Sequence, residues 1–158
     1  MTTTMCDESK KVLNYAMYLL GRRDYGTREL RERLLRPHPK REPLGEADVE
    51  AALERLTELG LIDDERRAER LAESLRRKGW GARRIQMELR QRGLPEPEEI
   101  PQEDQEIIAR LLQTKYAAKL QDEQSRRLVV QALMRRGFRW ADIKSVMNCR
   151  EEWDYIEE

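Results

Sequence analysis

Arg76-Arg77-Lys78-Gly79-Trp80-Gly81-Ala82-Arg83-Arg84-Ile85-Gln86-Met87-Glu88-Leu89-Arg90-Gln91-Arg92-Gly93 carries seven basic residues and one acid in a chain whose formal net charge is zero. A Gly-Trp-Gly elbow sits near its start and a glycine stops it. Between them Ala82, Ile85 and Leu89 recur at the spacing of an inward helical face. Arg83, Met87, Arg90 and Gln91 crowd the opposite side, so Met87 stands in a basic arc where nothing in its own helix buries it. Two readings are open. The arc is a solvated charged face with one tolerated methionine, or it is a surface that offers guanidinium forks to an anion and an apolar contact beside them.

Outward from this stretch the chain reads as helix throughout. Glu, Arg, Leu, Lys, Gln and Ala dominate, and no run of β-branched or aromatic residues alternates long enough for a strand. Toward the N-terminus, helices are expected at Glu8–Arg23, Arg28–Arg36 (with Thr27 as N-cap) and Glu46–Leu59, stopped by Gly60. Pro37–Gly45, with three prolines and a glycine, reads as an exposed, mobile loop. Asp63-Asp64 opens the next helix, whose inward positions are expected to be Ala68, Leu71, Ala72 and Leu75. Beyond Gly93, Leu94–Pro101 holds little more than a helical turn. Further helices are expected at Glu103–Tyr116, Glu123–Arg136 and Trp140–Met147.

The helices repeat. Leu89-Arg-Gln-Arg-Gly93 matches Leu133-Met-Arg-Arg-Gly137 at a spacing of 44 residues, and aligning Leu34 with them makes Arg28, Arg83 and Arg127 equivalent. The reading is all-α: three tandem three-helix repeats at 7–60, 61–101 (its third helix short) and 102–148, then an acidic tail at 149–158. Such units bury their faces against one another and extend as a rod or arc.

Charge patterning follows this division: 61–93 sums to +4, 94–124 to −5, 125–150 to +6 and 151–158 to −5. Cys6 and Cys149 stand far apart without metal-ligand spacing, which fits a reducing cytosol. Met1–Cys6 lacks the features of a signal peptide, and no apolar run approaches the ~20 residues of a membrane span. His38, the one histidine, lies in the proline loop, and no phosphate-cradling glycine motif is present. The expectation is a non-enzyme without cofactor or metal. Binding is what remains. Trp80, Phe138 and Trp140 each stand at an elbow beside basic residues; Phe138 reads as a packed wedge, Trp140 as a staple at its helix start, and Trp80 stays open between wedge and contact.

Three sets of residues also resemble a known family, the RecX family. Tyr15-Ala16-x-x-Leu19-Leu20-x-Arg22-Arg23-Asp24-Tyr25 with Glu29-Leu30-Arg31 is similar to its opening. Gly60-Leu61-Ile62-Asp63-Asp64 with Lys78-Gly79-Trp80-Gly81-x-Arg83-Arg84-Ile85-x-x-Glu88-Leu89 resembles its central signature, and Arg135-Arg136-Gly137-Phe138-x-x-x-x-Ile143 its C-terminal one. The resemblance runs in order along nearly the whole chain.

It implies an elongated, curved array of three three-helix repeats. It also implies a cytoplasmic regulator, monomeric and free of membranes, that binds the groove of the RecA filament on single-stranded DNA. Such a regulator inhibits ATP hydrolysis, strand exchange and co-protease activity, and so modulates recombination, DNA repair and the SOS response. Contact is expected through the basic array of Arg28, Arg31, Arg76, Arg77, Lys78, Trp80, Arg83, Arg84, Met87, Arg90, Arg92, Arg127, Arg135, Arg136 and Arg139. Departures stand at Trp80, where Tyr is usual, at Ala82, where Pro is common, and at Arg67, where an aromatic is expected. The proline loop and the tail are particular to this chain. From the residues alone, a direct binder of single- or double-stranded DNA and an adaptor joining two proteins remain alternatives.

Overall fold

The computed structural model describes residues 6–98 and 103–148. Eight helices follow in order: α1 (Asp7–Arg22), α2 (Thr27–Leu35), α3 (Glu46–Glu58), α4 (Asp64–Arg77), α5 (Ala82–Gln91), α6 (Asp104–Gln113), α7 (Glu123–Arg135) and α8 (Trp140–Met147). A 3-10 turn, Ala117–Lys119, links α6 to α7, and no strand forms among the described residues beyond a lone bridge between His38 and Arg41. The fold is all-helical, and most helix bounds fall within a residue or two of those expected.

The chain divides into two compact units. The first holds the described residues up to Arg67 together with Arg92–Pro95. In it α1 and α2 lay Val12, Ala16, Leu19, Leu30 and Leu34 against Val49, Ala52, Leu53 and Leu56 of α3, with Ile62 closing the cluster. Full burial of a side chain such as Leu30 or Leu34 contributes about 1.5–3 kcal/mol. The second unit holds Ala68–Gln91 and the described residues from Glu96 on. Its largest cluster joins Ile107, Ile108 and Leu111 of α6 to Val129, Val130 and Leu133 of α7 and to Trp140, Ile143 and Met147 of α8, with Tyr116 and Phe138 between them.

One local rule ends helices in both units. Gly60, Gly79 and Gly137 take positive φ just past α3, α4 and α7. After each, the next amide (Leu61, Trp80, Phe138) reaches back to a carbonyl five residues earlier, on Leu56, Leu75 and Leu133. A left-handed residue is needed there, and only glycine adopts it without a Cβ clash. Phe138 is the packed wedge expected of it, at 1% exposure.

Three expectations change. Thr27 is not the cap of α2: Gly26 holds that position, and the Thr27 amide donates to the Asp64 carboxylate at 2.9 Å. The inward stripe of α4 is Ala68, Ala72 and Arg76, with Leu71 and Leu75 only half-buried. The Pro37–Gly45 loop is exposed over most of its length, yet it is tied down through Arg41, whose guanidinium lies 4.3 Å from the Tyr15 ring centroid and donates to the Leu34 carbonyl. The acidic tail, Cys149 and the end of the Leu94–Pro101 segment lie outside the described residues.

Candidate functional site

The site grows from the elbow between α4 and α5. Positive φ at Gly79 turns the chain out of α4, and Gly81 then brings it against the second elbow of the same unit. The Gly81 amide donates to the Arg136 carbonyl at 2.7 Å, and the Arg83 amide to Gly137 at 3.3 Å. A Cβ on Gly81 would lie 2.4 Å from the Gly137 carbonyl carbon, and one on Gly137 would lie 2.5 Å from the Arg84 nitrogen. Two glycines thus let two backbones touch. Asp104, first residue of α6, completes the N-terminus of α5 by accepting from the Ala82 amide at 3.1 Å. Asp104 and Gly137 thus satisfy the amides of Ala82 and Arg83 at the start of α5 from inside the protein.

Trp80 stands on this junction, half-buried, with the guanidinium of Arg84 5.4 Å and that of Arg136 5.3 Å from its ring. Arg136 also donates to the Lys78 and Gly79 carbonyls at 3.1 Å and to the Tyr116 hydroxyl at 3.2 Å. Arg84 reaches Glu88, one turn on in α5, at 3.3 Å. Trp80 is therefore both wedge and platform: its buried edge packs the elbow, and its ring organises two cations.

Around it the array divides. Arg77, Lys78, Arg83, Arg90 and, on α7 and after it, Arg127, Arg135 and Arg139 are exposed. Met87 is 48% exposed among the α5 arginines, as its helical position predicts. Arg90 meets Glu96 at 3.1 Å and Arg127 meets Glu123 at 3.1 Å; exposed pairs of this kind hold a side chain weakly and exchange readily. Arg76 is the member of the array withdrawn from the surface. It is 4% exposed, binds Asp104 and donates to the Trp80 carbonyl, because the register of α4 turns it inward after Ala68 and Ala72.

In the first unit Arg28 and Arg92 are exposed, and Arg28 packs where a Cβ on Gly93 would stand. Arg31 is bidentate on Glu50 at 2.5 and 2.9 Å, which holds Glu50 below its ordinary range and Arg31 above its own. It lines a shallow groove with Glu50, Glu54 and Glu58, an acidic setting for a residue expected to meet an anion. No group of three or more His, Cys, Asp or Glu among the described residues is placed to hold a metal, and no helix there is long and apolar enough to cross a membrane.

Sequence reading places Asp64 at a helix start without its partner, and does not single out Asp104. Each is the first residue of its helix, and each accepts from the first amide of an earlier helix, α2 and α5 respectively. An Asp at a helix start was legible; its partner helix was not.

A family model described as the second three-helix domain of RecX matches residues 63–98. A "Regulatory protein RecX" from Trichlorobacter lovleyi is 34% identical over 137 residues, which span 78% of this chain and 85% of that protein. Proteins of the same name from Pectobacterium atrosepticum and Pseudomonas fluorescens are 40% and 41% identical over 95 and 96 residues. Of those two the chain spans 59% and 56% of the length. The crystal structure of RecX from Lactobacillus salivarius aligns with a TM-score of 0.71 at 18% identity, over 91% of this chain and 97% of that one, which shows the shared fold. A second RecX structure aligns at 0.69 and 19% identity, over 90% of this chain and 73% of that one. On the alignment that spans most of both chains, this protein belongs to the RecX family.

Proposed function

We propose that the protein is a negative regulator of the RecA recombinase. It binds in the groove of the RecA filament on single-stranded DNA and inhibits ATP hydrolysis, strand exchange and co-protease activity in the cytoplasm, without chemistry of its own. Three repeats, 7–60, 61–101 and 102–148, deliver the contact surface. Family membership supports a regulatory role, since the relatives carry the name "Regulatory protein RecX". The observation that carries the contact is Met87, 48% exposed, with Arg83 and Arg90 exposed beside it. Guanidinium forks pair with carboxylate or phosphate, while the thioether covers apolar surface. Arg76 and Arg136 act from behind, holding the elbow that presents α5.

The test removes contact without touching the fold. Arg83 and Arg90 are exposed, so the double variant Arg83→Ala, Arg90→Ala changes folding stability by no more than ~0.5 kcal/mol per site. Loss of charge-assisted contacts in the complex costs more, about 1.5–3 kcal/mol each. Inhibition of DNA-stimulated ATP hydrolysis by RecA should weaken at least tenfold, with an unchanged melting temperature and a shallower salt dependence. Equal inhibition by both proteins at every salt concentration refutes the assignment of α5.

A further inference from the structure

The outer face of α1 carries a row of planar groups that the proposed contact surface does not use. Val12, Ala16 and Leu19 point into the core; Tyr15 flanks it, half-buried, and Tyr18 and Arg22 face solvent. The Tyr15 and Tyr18 rings stack with centroids 6.4 Å apart and planes 19° from parallel. The Arg22 guanidinium lies 5.7 Å from the Tyr18 centroid and donates to the Tyr18 hydroxyl at 2.8 Å. At the other end of the row Arg41, from the proline loop, covers Tyr15 at 4.3 Å. Tyr18 remains 57% exposed.

No described carboxylate pairs with the charges in this row. In the same unit Arg23, Arg28, Arg31, Arg55 and Arg67 each hold a carboxylate. Arg22 and Arg41 form no ion pair among the described residues. The Nε of Arg41, buried, has no hydrogen-bond partner. Two cations are thus set against aromatic rings, with no anion supplied by the described residues.

We infer that the Arg41–Tyr15–Tyr18–Arg22 row of α1 is a binding surface for single-stranded nucleic acid, with an unpaired base stacking on Tyr18 and the adjoining phosphates meeting Arg22 and Arg41. Both requirements of such a ligand are present: a solvent-facing ring for a base and guanidinium groups that no described carboxylate neutralises, for the backbone. A duplex keeps its base faces stacked internally, so it offers the row phosphates only. An acidic peptide would satisfy the arginines and leave the open Tyr18 face unused.

The test is binding of a fluorescein-labelled dT20 strand to the full chain by anisotropy, beside an abasic strand of the same length and polyglutamate. RecA is absent from the assay, so its failure leaves the proposed regulation standing. Tyr18→Leu should weaken dT20 binding about tenfold, the scale of one lost base stack, and leave the abasic strand unchanged. Tyr18→Trp should restore dT20 binding. Arg22→Gln should weaken both strands and reduce the salt slope by roughly 0.7, the value of one phosphate contact on a single strand. Because Tyr18 is exposed, all variants should keep the parent's circular dichroism and melting curve. Wild-type dT20 affinity in Tyr18→Leu overturns the inference, as does an equal loss on the abasic strand. Polyglutamate binding that falls with Tyr18→Leu as dT20 binding does would make the row a docking surface for acidic protein instead, and equally overturns it.

Discussion

Gly81→Ala tests the junction that presents the basic surface. An added Cβ would stand 2.4 Å from the Gly137 carbonyl carbon, 2.5 Å from its oxygen and 2.6 Å from the Phe138 nitrogen. All three are backbone atoms at the end of α7, so no rotamer change relieves the clash. Separating the strands of chain by the needed ångström breaks the 2.7 Å bond from the Gly81 amide to Arg136 and loosens the bond from Arg83 to Gly137. Overpacking costs about 1–3 kcal/mol, and loss of one internal hydrogen bond adds about 1 kcal/mol, giving a loss of about 2–4 kcal/mol. With a urea slope near 2 kcal/mol/M, the unfolding midpoint should fall by about 1–2 M. Gly60→Ala is the control: its φ of +68° strains an alanine, but nothing lies within 4 Å of the new methyl. It should cost only the left-handed backbone term, about 1–2 kcal/mol. Circular dichroism across a urea series reads both. Were Gly81→Ala to unfold at the wild-type midpoint, the two elbows would not be in contact, and the account of how α5 is held would fail.

Two further predictions concern a buried ion pair and an exposed helix cap. Arg76→Ala and Asp104→Ala each leave a buried partner uncompensated and should each cost about 3–5 kcal/mol, while the double variant should cost less than their sum; additivity in denaturant melts would refute the pairing. Asp122 accepts from the Ser125 amide at the start of α7, and this bond holds its carboxylate below the ordinary aspartate value. Its contribution should therefore be complete above about pH 4 and fade as pH falls through the lower folded value. Asn caps without titrating, so the stability lead of wild type over Asp122→Asn should shrink between pH 6 and pH 3; a constant difference would refute the assignment.

The helices themselves were legible because their causes are local. Leucine spacing on α2 and α3, glycine after α3, α5 and α7, and the three prolines between α2 and α3 each act within a turn or two of chain. Met87 could be placed in the open from its angular position alone, and it is open. Phe138, following a glycine stop, could be read as a wedge. The α4 stripe was read one step off because leucines at 71 and 75 looked more buriable than an arginine at 76. Only with Asp104 in place, 28 residues further along, does Arg76 become a group that can be buried.

What the sequence determined by itself was the all-helical chain, the repeated basic helices and the family to which they belong, since periodicity, capping and short motifs are properties of neighbouring residues. Tertiary structure decided which of those basic residues face solvent. It also set Asp64 and Asp104 on amides of earlier helices, brought Gly81 against Gly137, and ran Tyr15, Tyr18, Arg22 and Arg41 into one row. Each of these joins residues that are distant in the chain or distributed over separate elements. Such a contact follows from how whole helices pack, and packing sums many weak interactions that no local window of sequence contains.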